Sequence, residues 1–174
     1  TSPVPGTVVS TRVLTLQGAA GTATAVTVNG AAATVDTVTH TFTLASYDLG
    51  GEGPRTLTIV GKAPGCPDGT ASATLTVDTQ PPVVTIDAPA LSPSCRAASG
   101  TVNVEGRYSD LHPATTDAVV VELRPAGGTP ITQAVNVDSN GRWSLPNVSL
   151  GSVDGTATVV ATAKDAQSLT SRTL

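Results

Sequence analysis

Apolar and polar residues alternate along this chain in short runs, and no window keeps the three-and-four spacing of a helix. Leu14 and Leu16 share one face, with Thr15 and Gln17 opposite. Val26 and Val28 lead into Asn29-Gly30, a strong two-residue hairpin signal. Phe42 and Leu44 alternate with Thr41 and Thr43; beyond Gly50-Gly51, Leu57 and Ile59 alternate with Thr56 and Thr58. Leu75 and Val77 complete this run, which stops at Asp78. A period of two with turns about every 8–12 residues predicts a β-sandwich.

Asp78-Thr79-Gln80-Pro81-Pro82 interrupts the pattern, because two prolines end any ladder and stiffen the chain. It then restarts. Val84 and Ile86 open a strand; Val102, Val104 and Tyr108 face one way while Asn103, Glu105 and Arg107 face the other. Val119, Val121 and Leu123 follow, then Ile131, Val135 and Val137. Asp138-Ser139-Asn140-Gly141 turns the chain into Trp143 and Leu145, and a last pair runs over residues 156–163 and 169–174. The pattern predicts an all-β chain of two tandem sandwich domains, residues 1–78 and 83–174, joined by a linker over 79–82.

Composition narrows the chemistry. Hydrophobic residues make up 39% of the chain, yet there are only one Trp, two Tyr, one Phe and no Met, so the core must be built from Val, Leu, Ile and Ala. β-Branched residues fit a pleated surface, and 17 Gly and 13 Pro supply turns. A net charge of -4 argues against nucleic acid, which needs a basic stripe. No apolar run reaches the roughly 18–20 residues of a membrane span. The chain begins with Thr rather than Met, as expected of a segment processed or excised from a longer precursor.

Several motifs carry a family resemblance. The run from Val26 through Asn29-Gly30 to Val35 resembles the strand-turn-strand of bacterial immunoglobulin-like domains of the glucodextranase domain-B type. Val137 to Leu145, Asp154-Gly155-Thr156 and Ala163-Lys164-Asp165-Ala166 resemble the immunoglobulin-like repeats of large bacterial surface adhesins, and Asp78 to Pro82 is similar to the linkers of such arrays. The resemblance implies two immunoglobulin-like sandwiches, an extracellular or cell-surface location, and junctions stiffened by Ca²⁺. Against the family pattern, the first domain starts at Thr1-Ser2-Pro3, past the position of a strand like Val83 to Ile86. The second stops at Leu174, roughly three residues short of a match to Asp78. The expectation is therefore that domain 1 lacks its first strand, leaving under-paired edges. Either an excised repeat, strand addition from a neighbouring molecule, or trimmed ends would account for that.

Candidate sites follow. Cys66 falls in the loop before the last strand of domain 1 and Cys95 in the loop after the first strand of domain 2, both remote from the linker. Two thiols with no nearby His fit no zinc motif. In an extended pair they would stand roughly 60–80 Å apart at about 3.3 Å per residue, while a disulfide needs Cα atoms within about 7 Å. Head-to-tail units would instead bring Cys95 of one to Cys66 of the next. An inter-unit disulfide, an internal bridge in a folded-back pair, and free thiols are the alternatives. The linker residue Asp78 and the loop residues Asp110, Asp117, Asp138 and Asp165 offer hard oxygen ligands near the junction; a Ca²⁺ site would use Asp78, Asp110, Asp138 and Asp165. Asp is also a common turn residue, and no D-x-D-x-D-G loop is present.

Trp143 alternates in phase with Leu145, so it is expected in the core rather than on a sugar-binding face. His40, at a strand end, and His112, before Pro113, have no nucleophile motif beside them, and no enzyme is expected. Asn147-Val148-Ser149 fits a glycosylation sequon. The reading is a structural repeat of a secreted bacterial filament, sheath or adhesin stalk, self-associating head-to-tail. The alternatives are an accessory pair on a secreted polysaccharide-acting enzyme, or an adhesive module for a carbohydrate or cell-surface ligand.

Overall fold

Every regular element among the described residues is a β-strand, and the strands form sandwiches. The computed structural model describes residues 2–89, 100–151 and 155–174. The chain divides into two units, Thr1–Thr79 and Gln80–Leu174, each with its own hydrophobic core.

The first unit comprises β1 (Val8–Val9), β2 (Val13–Ala19), β3 (Ala25–Val28), β4 (Ala31–Asp36), β5 (Thr41–Asp48), β6 (Gly53–Lys62) and β7 (Gly69–Val77). They form one sheet in the order β1-β7-β6-β3-β4-β5-β2. Strand β4 belongs to both layers: Ala31, Ala32 and Ala33 pair with β3, whereas Thr34, Val35 and Asp36 pair with β5. The sheet curls at this strand, and its two ends close over Leu16, Val26, Val28, Phe42, Leu57 and Leu75. Each buried Val, Leu or Phe side chain contributes about 1.5–3 kcal/mol, so the near absence of aromatics is made up by many small apolar contacts.

Asn29-Gly30 forms the expected two-residue turn, both residues having positive φ (45° and 86°), which opposes the right-handed strand preference least when Asn and Gly occupy those places. The Asn29 side chain extends the ladder: its Oδ1 accepts the Thr58 N–H (2.8 Å), and Nδ2 donates to Tyr47 Oη (3.1 Å) and Thr56 O (3.3 Å). A bulge follows on β5, where Ser46 (φ 52°) lies between the Leu14–Tyr47 and Leu16–Leu44 pairs.

The amino-terminal segment pairs with both ends of the curled sheet. Ser2 exchanges two backbone hydrogen bonds with Gln17 on β2 (2.7 and 2.9 Å). Farther on, Val8 and Val9 pair in parallel with Thr76 and Val77 of β7. Residues 2–9 thus reach both end strands of the curled sheet, β2 at Gln17 and β7 at Thr76 and Val77. Pro3, Pro5 and Gly6 break any period-two signal, which is why alternation alone misses this split strand.

The second unit comprises β8 (Val83–Ala88), β9 (Thr101–Ser109), β10 (Val119–Arg124), β11 (Ile131–Val135), β12 (Arg142–Ser149), β13 (Thr158–Lys164) and β14 (Thr170–Thr173). Here the layers remain separate, as a β12-β9-β8 sheet and a β11-β10-β13-β14 sheet. Val104, Val119, Val121, Leu123, Trp143 and Leu145 fill the space between them. Trp143 is only 2% exposed, and its Nε1 donates to Arg107 O (3.2 Å). The indole lies directly against Gly106, where a Cβ would overlap both the ring and Thr85 O. Tyr108 Oη donates to Lys164 O (3.0 Å), tying the two layers together.

Gly106→Ala is accordingly expected to destabilise the second unit by about 1–3 kcal/mol or more through overpacking. Gly69→Ala, whose Cβ would meet only Gly61 O at 3.9 Å, should change stability little. Urea unfolding of the two variants checks the contrast; equal midpoints would contradict the packing described.

Candidate functional site

The carboxylates proposed from the sequence separate into distinct environments. In the second unit, β8 and β9 pair in a register that sets Val83 opposite Ser109, so Asp110 stands at the end of this unit where the chain arrives from the linker. The turn after β13 lies beside it. Ala166 N–H donates to His112 O (3.0 Å), and Pro113 and Asp165 form an isolated bridge. These contacts bring Asp110 and Asp165 together, with a carboxylate oxygen of each within 4.8 Å of the other.

The two acids have different local duties. Asp110 Oδ1 accepts the His112 N–H (2.7 Å), an Asx turn that shapes its own loop. Asp165 is 2% exposed, and its Oδ1 accepts the N–H groups of Gln167 (2.8 Å) and Leu169 (2.7 Å). Its Oδ2 is buried without a hydrogen-bond partner. An uncompensated buried carboxylate oxygen is costly, and a second carboxylate beside it adds repulsion. A hard cation would relieve both, and carboxylate oxygens are the ligands Ca²⁺ takes.

Asp138 does not join this pair. Its Oδ1 accepts the N–H groups of Arg142 and Asn140 (each 2.8 Å), and these bonds, Arg142 first, hold its carboxyl below the usual range. It closes the β11–β12 turn, which accounts for its place in the sequence without any ion. Asp117 is exposed, with a positive φ of 50° in the loop before β10.

Asp78 follows β7 at the end of the first unit. It is 1% exposed, and its N–H donates to Val9 O (3.0 Å). The next residue is gripped by a side chain that the sequence pattern did not single out. Glu52 Oε2 accepts the Thr79 N–H (2.9 Å), and Oε1 accepts both the Thr79 hydroxyl and Arg12 Nη2 (2.9 Å). Arg55 secures the Glu52 loop by donating from Nε to Gly51 O and from Nη2 to Glu52 O (2.9 Å each). The Thr79 hydroxyl, then its N–H, then Arg12 pull the Glu52 carboxyl from its ordinary value near 4.5 down to about 2.

The remaining candidates lie elsewhere. Cys66 is exposed and carries a free thiol, beside an open groove of about 390 Å³ lined by Ala23, Ile59, Gly61, Ala63 and Ala71. Cys95 lies outside the described residues. His40 is an exposed turn residue (φ 55°) whose carbonyl accepts the Ala20 N–H. In the sequon, Asn147 is exposed with φ 55° and Val148 belongs to the core.

Because the folded-state pKa of Glu52 is depressed, the stabilisation it supplies is complete above pH 4.5 and is lost as the pH falls from there through about 2. The Thr79 amide signal in an NMR acid titration should therefore hold its position through pH 4 and move only as pH 2 is approached. A midpoint near 4.5 would contradict the contacts described.

No family model matches this sequence, and no curated protein matches it. Solved structures do. A tetra-tandem repeat from the extending region of a large adhesion protein is 23% identical over 98% of this chain and 46% of its own, with a TM-score of 0.46. A Ca²⁺-stabilized adhesin with which an Antarctic bacterium binds ice is 23% identical over 94% of this chain and 42% of its own, with a TM-score of 0.43. A structure concerning host cell surface retention of a 1.5-MDa bacterial ice-binding adhesin is 24% identical over 92% of this chain and 55% of its own, with a TM-score of 0.46. The chain spans about half the length of the solved chains it matches, and these structural neighbours come from bacterial adhesins.

Proposed function

We propose that this chain is a structural repeat of a bacterial surface adhesin stalk or secreted filament, and that a divalent cation stiffens it where its two units join. The observation that supports this most is the Asp110–Asp165 pair, which offers a buried, uncommitted Asp165 oxygen at the end of the second unit nearest the linker. Asp78, two residues ahead of Gln80, supplies a third carboxylate in this reading. The protein side holds the ion with carboxylate oxygens, and Ca²⁺ fits that donor set. The role is mechanical: sandwiches in series bear load through their ladders, and an ion at each linker restricts bending. Its setting is the cell exterior, where a disulfide between Cys95 of one chain and Cys66 of the next can persist.

Two features weigh against the other readings. Trp143 is buried, so a sugar-binding platform lacks its main aromatic. Ser2 bridges to Gln17 on β2 and Val8–Val9 pair with β7, which weighs against strand addition at those positions.

Calcium is expected to raise the unfolding temperature of the full chain relative to protein in chelator, with a stabilisation of about 2.7 kcal/mol when free Ca²⁺ is a hundredfold above Kd. Asp165→Asn should remove the increment. Identical melting curves with calcium and chelator would reject the cation. For the staple, non-reducing gels should show ladders that collapse on reduction and vanish in Cys66→Ser; monomers in both lanes reject it. Glycan-array binding without any self-association would favour the adhesive or enzyme-accessory reading.

A further inference from the structure

Asp78 is flanked by two peptide groups, and both are held. The peptide before it is fixed by Asp78 N–H donating to Val9 O, and the peptide after it by Thr79 N–H donating to Glu52 Oε2. Two pinned peptide planes leave the intervening Cα little freedom in φ and ψ, which sets the direction of its Cβ. The β6–β7 ladder ends one residue earlier, at the Gly53–Val77 pair. The Glu52–Thr79 bonds thus hold the chain two residues beyond that ladder, just before the prolines.

We infer that Glu52 is a positioning residue: by holding the Thr79 amide and hydroxyl, it fixes the path by which the chain leaves the first unit and the direction of the Asp78 carboxylate. Its own placement is overdetermined. Arg12 neutralises Oε1, and Arg55 fastens the Gly51 and Glu52 carbonyls. Gly51 permits that approach, because a Cβ there would lie 3.0 Å from Arg55 Nη2. A carboxylate accepting from an N–H, a hydroxyl and a guanidinium forms charge-assisted bonds, stronger than neutral ones. A stalk needs its exit residue held in just this way, since a pull on the linker acts on Thr79 before it reaches any strand. The consequence for Asp78 rests on the cation reading above; the clamp on Thr79 does not.

The test uses the full chain with Glu52→Gln and Glu52→Ala. Amide hydrogen exchange is measured first in metal-free protein, and Ca²⁺ titration calorimetry follows on the same samples. In both variants Thr79 exchange should accelerate at least tenfold while the amides of the β6–β7 ladder keep their wild-type rates. Calcium affinity should fall about tenfold, although Glu52 is not itself a ligand. Glu52→Asp, one methylene shorter, should restore neither property fully. Unchanged Thr79 exchange in both variants overturns the inference. So does faster Thr79 exchange with wild-type calcium affinity, because Asp78 would then be placed by something else. If the wild-type chain takes up no calcium, the cation reading falls, and Thr79 exchange alone decides whether Glu52 holds the exit.

Discussion

Strand ends leave main-chain N–H groups without ladder partners, and in this protein six carboxylates answer part of that need. Asp36, Asp48, Glu52, Asp110, Asp138 and Asp165 each accept at least one backbone N–H. A chain with 13 acidic residues therefore commits a large share of them to its turns. The requirement is physical: an unpaired N–H shielded from water costs about as much as a lost hydrogen bond. It also separates structural acids from functional ones. Asp138 and Asp36 face solvent and are satisfied by their own turns. Asp165 performs the same turn duty with one oxygen, while burial beside Asp110 leaves the other uncommitted.

The sandwich character and much of each core follow from alternation, since Leu16, Phe42, Leu57 and Leu75 point inward wherever period two places them. Asn29-Gly30 and Trp143 are legible for the same reason, because turn chemistry and strand phase are local properties. What lies beyond reach is non-local. Residues 2–9 pair with strands reached only after the sheet has curled, and prolines hide them from any periodic pattern. The passage of β4 between layers depends on how Ala31–Asp36 meets two different partners. Asp110 and Asp138 look alike as turn residues in the sequence; only the fold brings one of them to Asp165. Glu52 has no sequence signal at all, since its partners Arg12 and Thr79 lie far away in each direction.

The two units use the same composition to different ends. The first is a continuous curled sheet whose amino-terminal segment pairs locally with β2 and β7. The second keeps two sheets, bound across the core by the Tyr108–Lys164 hydrogen bond and by Trp143 lying on Gly106. Between the two units runs the short path from Val77 to Val83, held at its first-unit end by Glu52 through Thr79.

The proposed cation would sit on Asp110 and Asp165. Crystals of the full chain grown with calcium test it most directly, through anomalous scattering at the Asp165 Oδ2 position. An ion bonded to both carboxylates at about 2.3–2.6 Å is expected. An ordered water hydrogen-bonded to Asp165 Oδ2, with no anomalous signal at saturating calcium, would contradict it.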